Sequence, residues 1–96
     1  VKPDIVWARS ALADLAHIDE YYSRLDPEYA NRTARGAVAA ARFLLANPFA
    51  GPKVEGTAYR KWPVADTPYL LIYRPERGAL RVVRVRHARE DWRPAP

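Results

Sequence analysis

Between Tyr22 and Tyr29 the chain reads Ser23-Arg24-Leu25-Asp26-Pro27-Glu28. Asp26 offers a carboxylate to the first unpaired N–H groups of a helix, proline suits the first helical position, and Glu28 sets a negative charge at the positive end of the helix dipole. A helix therefore starts at Pro27, and any helix before it ends near Arg24. This break converts one long helical stretch into two helices joined by a tight connection, an antiparallel αα-hairpin.

Upstream of the break, Ala11, Leu15, Ile18 and Tyr22 are spaced four, three and four apart, with Leu12 beside them, which is one face of a helix beginning at about residue 10. Asp14, Asp19 and Glu20 fall mostly on its other face. Asp4-Ile5-Val6-Trp7, after Pro3, reads as a short edge or entry strand. Downstream, the second helix runs to Ala46, with Ala30, Ala34, Ala37, Val38, Ala41, Leu44 and Leu45 as its inward face, and Asn47-Pro48 ends it. Residues 49–57 form a connecting loop. Three strands follow at 59–64, 69–74 and 80–87, separated by Ala65-Asp66-Thr67-Pro68 and Pro75-Glu76-Arg77-Gly78, and the simplest arrangement is an antiparallel meander. The expected fold is α+β, in the order β-α-α-β-β-β, with an antiparallel sheet packed on an N-terminal αα-hairpin. Alternation in the last strand sets Val83, Val85 and His87 on the core side and Val82, Arg84 and Arg86 on the other.

The 96 residues suffice for one domain, 1–96, with little surplus core. Without cysteine, neither disulfides nor thiolate metal ligation supplements that core, and His17 and His87 do not make a zinc site by themselves. No metal or other cofactor is expected. Residues 1–7 do not read as a signal peptide and no stretch approaches the ~20 apolar residues of a membrane span, so the expected location is cytoplasmic, with no membrane partner. The Asn31-Arg32-Thr33 sequon is then accidental. The net charge of +5 is unevenly placed: residues 1–52 hold six basic and six acidic side chains, residues 53–96 ten and five. The C-terminal half is where a polyanion or an acidic protein would bind, or it is a solvated basic surface.

Trp7, Ala11, Asp14-Leu15, Ile18, Tyr21-Tyr22, Ala30, Asn47-Pro48 with Gly51, Tyr69, Tyr73-Arg74 and Val85-Arg86-His87, in this order and at these separations, resemble the RelE/ParE toxin superfamily over nearly the whole chain. With Ala88-Arg89-Glu90-Asp91-Trp92 after His87, the chain is most similar to the ParE-like branch. The resemblance implies a toxin of a type II toxin–antitoxin system, neutralised by a ParD-like antitoxin of the ribbon-helix-helix type. It also implies DNA gyrase as target, inhibited by protein binding, and no direct DNA binding except through the antitoxin.

RelE-like relatives instead cleave mRNA on the ribosome, which needs a group to take the 2′-hydroxyl proton, cations for the phosphorus-centred charge and an acid for the leaving oxygen. The matching region supplies Arg60, Lys61, Arg74, Arg86 and His87, a set rich in cations and poor in proton carriers. Histidine alone among them exchanges a proton near neutral pH, and Ala88 stands where nuclease relatives often carry tyrosine. Glu55 serves as base only if its loop folds over the sheet. Whether the chain is an enzyme therefore stays open, with binding preferred. His87 has a second reading as a hydrogen-bonded core residue, and that one is preferred.

Arg74, Arg84 and Arg86 repel one another unless carboxylates lie among them, so with Leu12 and Leu15 of the first helix they are the expected antitoxin contacts. Arg89, Trp92 and Arg93 form the expected target-binding segment, Trp92 being equally readable as a packing residue. A small basic nucleic-acid-binding module is the weakest alternative, because the strands lack exposed aromatic pairs and no helix is basic enough to enter a groove.

Overall fold

Asp26 caps the second helix as its position requires: its Oδ1 accepts a hydrogen bond from the Tyr29 N–H at 3.0 Å, with Pro27 next in line. In the computed structural model, which describes residues 4–89, the elements are β1 (Asp4–Trp7), α1 (Arg9–Tyr22), α2 (Pro27–Ala46), β2 (Arg60–Pro63), β3 (Tyr69–Glu76) and β4 (Ala79–His87). The order is the β-α-α-β-β-β expected. The hairpin lies against one face of a four-stranded sheet ordered β1-β4-β3-β2.

Strands β2, β3 and β4 form the antiparallel meander, while β1 joins β4 in parallel, so the sheet as a whole is mixed. A parallel neighbour needs a long connection, and here both helices and two strands separate β1 from β4. The second turn is tighter than expected. Strand β3 continues through Pro75 to Glu76, and Arg77-Gly78 alone reverse the chain, Gly78 taking φ +70° where a side chain is disfavoured.

A bulge corrects the expected faces of β4. Ile72 pairs with Arg84 and Tyr73 with Val82, so Val83 is the extra residue and the alternation changes parity there. Leu80, Val82 and Val85 are buried against Leu71, Tyr73 and the helices, and Val83 is only half-buried. Arg81, Arg84 and Arg86 share the opposite face. The inward face of α2 is also displaced by about one residue. Ala30, Ala37, Ala41 and Leu44 are buried as expected, but Ala34 is exposed and Val38 is 40% exposed, their places being taken by Thr33 and Ala40. Thr33 enters the core because its hydroxyl donates to the Tyr29 carbonyl one turn back, at 2.9 Å.

Asp14 departs furthest from its expected position on a solvated face. Strand β1 accompanies β4 only as far as Val82, whose carbonyl accepts the Ala8 N–H. Beyond that point α1 takes over the edge: the Ser10 hydroxyl donates to the Val83 carbonyl, and Asp14 Oδ2 accepts the Val85 N–H at 2.9 Å. The same carboxylate receives Arg84 through two bonds, Nε to Oδ2 at 2.7 Å and Nη2 to Oδ1 at 2.8 Å, and its side chain is only 13% exposed.

The two partners should contribute unequally. Replacing Asp14 by alanine strands the Val85 N–H, removes the ion pair to Arg84 as well, and should cost about 2–4 kcal/mol. Arg84→Ala leaves the Asp14–Val85 bond intact and, its side chain being partly exposed, should cost about 1 kcal/mol. Urea denaturation of both single variants and the double variant measures the difference; equal costs would mean that the backbone bond contributes nothing.

Candidate functional site

Cross-strand partners share a face of a sheet, and the register therefore sorts the candidate residues. Leu71, Tyr73, Val82 and Val85 face the helices. Lys61 pairs with Ile72, Ile72 with Arg84, Leu70 with Arg86, and Arg74 with Arg81, which sets five cations on the outer face: Lys61, Arg74, Arg81, Arg84 and Arg86.

Guanidiniums facing each other across neighbouring strands repel, and the chain answers with its own carboxylates. Glu76 Oε2 accepts Arg81 Nε at 2.8 Å, and Arg74 Nη2 and Nε at 2.9 and 3.1 Å, so one carboxylate joins two directly opposed arginines. The hydrogen bond from Arg81, then that from Arg74, and the charges of both hold the Glu76 carboxyl below the ordinary glutamate value, although partial loss of solvent opposes them. Asp14 likewise supplies the carboxylate that pairs with Arg84. Arg74 and Arg84, both expected to meet antitoxin carboxylates, thus already have partners within the fold.

The five residues considered for nuclease chemistry do not converge. Arg60 pairs with Tyr73 and lies on the helix side, where its Nη1 donates to the Gly51 carbonyl at 2.7 Å. His87 pairs with Tyr69 on that same side; the two rings meet edge to face at 5.4 Å, and His87 Nδ1 accepts the Arg89 N–H at 3.1 Å. Lys61, Arg74 and Arg86 belong to the other face. Glu55 is exposed in the turn after Val54, in a segment that pairs along the edge of β2 through Lys53–Arg60 and Lys61–Pro52 contacts.

Of the expected antitoxin contacts, Leu12 is 51% exposed on α1, while Leu15 is partly buried against the core. Arg89 is exposed; Trp92 and Arg93 lie outside the described residues. Sequence reasoning missed a groove of about 380 Å³ between α1 and the end of β4, lined by Asp14, His17, Tyr21, Tyr69, Arg84 and Arg86. Its helical wall was readable as the stripe Asp14, His17, Tyr21, spaced three and four apart; its meeting with Tyr69, Arg84 and Arg86 depended on how α1 docks on the sheet.

A family model described as the ParE toxin of the type II toxin–antitoxin system parDE matches residues 5–92, and the chain belongs to that family. It is a toxin component of a type II toxin–antitoxin system. It is 36% identical over 84 residues to Toxin RelE2 of Caulobacter vibrioides, covering 88% of this chain and 93% of that one. A solved structure of the chromosomal ParDE system from P. aeruginosa superposes with a TM-score of 0.76 at 26% identity, covering 88% of this chain and 95% of the other. Among the described residues no group of histidine, cysteine and carboxylate side chains is placed to hold a metal ion, and no helix is long and apolar enough to cross a membrane.

The Glu76 cluster makes stability depend on acid in a definite direction. A carboxyl whose folded value is depressed contributes fully above its ordinary value of 4.5 and loses that contribution as pH falls through the folded value. Wild type should therefore exceed Glu76→Gln in urea midpoint at pH 7, and the gap should narrow below pH 4.5 and close in stronger acid. A gap independent of pH would show that the charge on Glu76 does not matter.

Proposed function

We propose that this toxin acts by binding a protein target, DNA gyrase, without chemistry of its own, and that a cognate ParD-like antitoxin neutralises it in the cytoplasm. The observation that carries the reading is the separation of His87 from the cations of the outer face. Phosphodiester cleavage needs proton transfer and charge stabilisation around one phosphate. Here the imidazole belongs to the helix side, engaged with Tyr69 and the Arg89 N–H, while Lys61, Arg74 and Arg86 lie across the sheet. The family match and the ParDE neighbour support a ParD-like partner.

Ribosome-dependent mRNA cleavage is the second reading. It is favoured by the RelE name of the Caulobacter relative and by the five-cation face, which suits an RNA backbone. Under the first reading the same cations attract antitoxin carboxylates, and the exposed Leu12 receives an apolar residue of an antitoxin helix.

His87→Gln separates the two readings, because glutamine hydrogen-bonds but neither takes up nor releases a proton near neutral pH. Inhibition of gyrase supercoiling by the purified variant should stay within about twofold of wild type, and neither protein should cleave mRNA on translating ribosomes. Cleavage by wild type that disappears in His87→Gln, with supercoiling untouched, would establish the enzyme instead.

Charge removal in the antitoxin complex is a second test. Arg74→Ala with Arg86→Ala should weaken antitoxin binding about tenfold or more at low salt, the loss shrinking as ionic strength approaches ~1 M. Unchanged affinity at every salt concentration would remove the outer face from the interface.

A further inference from the structure

Arg60 and Trp62 are two residues apart on β2 and therefore project to the same side. Each holds an aromatic ring supplied by the end of α2 or the loop after it. Phe43 stacks on Trp62 with ring centroids 5.2 Å apart and planes 19° from parallel, and the Arg60 guanidinium sits 5.1 Å from the centre of the Phe49 ring. Phe43 remains 45% exposed and Phe49 70% exposed. The result is a ledge of aromatic rings and a cation at the β2 end of the sheet, on its helix side.

The loop that presents Phe49 is tied down at almost every residue. Asn47 Nδ2 donates to the Phe43 carbonyl at 3.0 Å, and the Ala50 N–H donates to the Asn47 carbonyl at 3.1 Å. The hydroxyl of Tyr73, a fully buried side chain, accepts the Gly51 N–H at 3.0 Å and donates to the Pro48 carbonyl at 3.0 Å. Arg60 completes the set on the Gly51 carbonyl. A Cβ at Gly51 would lie 2.4 Å from the Lys61 carbonyl oxygen, so the close approach that makes these bonds possible admits only glycine. A simple connection does not require a buried hydroxyl and a guanidinium to fix it, nor an exposed phenylalanine at its crest. A rigid aromatic beside an arginine is the composition of an interface anchor, and its fixed conformation removes the ordering cost of binding.

The surroundings specify the partner. From residue 42 to residue 64 the chain has one acid, Glu55, and three cations besides the outward-facing Lys61, namely Arg42, Lys53 and Arg60. The complementary surface is therefore acidic around an apolar pocket. A protein fits better than a nucleic acid. Phe43 and Phe49 each already have one face covered, by Trp62 and by Arg60, and the five cations that would attract a phosphate backbone are on the other side of the sheet.

We propose that the Phe43–Phe49–Arg60–Trp62 ledge is the surface with which the toxin grips its target, a protein bearing an apolar pocket for Phe49 rimmed by carboxylates. The proposal rests on the reading that the toxin acts by binding a protein, and the ledge is distinct from the proposed antitoxin contacts at Leu12, Arg74 and Arg86. Phe49→Ala and Phe49→Glu are compared with wild type at equal protein level for growth arrest on induction, for inhibition of supercoiling by purified gyrase, for antitoxin affinity and for thermal midpoint. Phe49→Ala should lose about tenfold in growth arrest and Phe49→Glu about a hundredfold or more, since it sets a carboxylate against carboxylates, with antitoxin affinity held within about twofold. The thermal midpoints should stay together, because so exposed a ring contributes little packing.

Full growth arrest by both variants would overturn the ledge. So would antitoxin affinity that falls in step with toxicity, which would assign the surface to the antitoxin, or binding of a single-stranded oligonucleotide by wild type that Phe49→Ala abolishes. If growth arrest depends on Phe49 while wild type leaves gyrase unaffected, the ledge stands and the gyrase reading fails.

Discussion

The fold depends on how β4 is partnered beyond Val82. Strand β4 is nine residues long and β1 only four, so more than half of one edge of β4 would face outward with unsatisfied backbone groups. Helix α1 resolves this with two side chains one turn apart: Ser10 on the Val83 carbonyl and Asp14 on the Val85 N–H. The constraint acts both ways. The helix must begin directly after β1, with the Ala8 N–H still on the strand ladder, and β4 must bulge at Val83 so that Val82 and Val85 both turn inward beneath the helix. A core rich in alanine offers little apolar area per residue, and directional bonds of this kind then set where the hairpin rests on the sheet.

The features visible in the sequence were those governed by local chemistry. The hairpin followed from Asp26-Pro27, the end of α2 from Asn47-Pro48, and the three later strands from alternation between turn residues. The bulge was hidden because Val82 and Val83 are the same residue type, and no pattern distinguishes the one that pairs from the one that does not. Asp14 was misplaced for a related reason: an acid on an amphipathic helix ordinarily marks the solvated face, and only the length mismatch between β1 and β4 makes a carboxylate useful there. Thr33 entered the core by bonding its own helix, which a hydropathy pattern counts against it.

The candidate site was legible in composition and only partly in arrangement. The excess of arginine in the C-terminal half was plain, and so was the opposition of His87 to Arg84 and Arg86, since both follow from alternation downstream of the bulge. The carboxylates that satisfy Arg74, Arg81 and Arg84 come from Glu76 and from Asp14, the latter 70 positions before Arg84, and such partners emerge only from register and helix docking. The ledge at Phe49 was read as an ordinary loop because its rigidity resides in Tyr73 and Arg60, on strands that follow it.

Both ends of the sheet are closed by side chains and short segments instead of further strands, and this limits how the toxin can be recognised. At the β1 end, Asp4 Oδ1 already accepts the Ile5 N–H, and the strand is too short to template a long pairing. At the β2 end the Pro52–Val54 segment covers the edge through the Lys61 N–H to Pro52 bond and the Lys53–Arg60 bridge, and Pro63 then removes a donor. Strand addition is thus disfavoured at both edges described. Recognition falls to side chains: the arginines of the outer face, the exposed residues of α1, and the pinned aromatic loop. The arginines lie on the side of the sheet away from α1 and the loop, and the loop stands at the β2 end while α1 packs on β4, so occupation of one does not by its geometry fill another. A partner docked on one of these surfaces therefore leaves the others uncovered unless it extends around the domain.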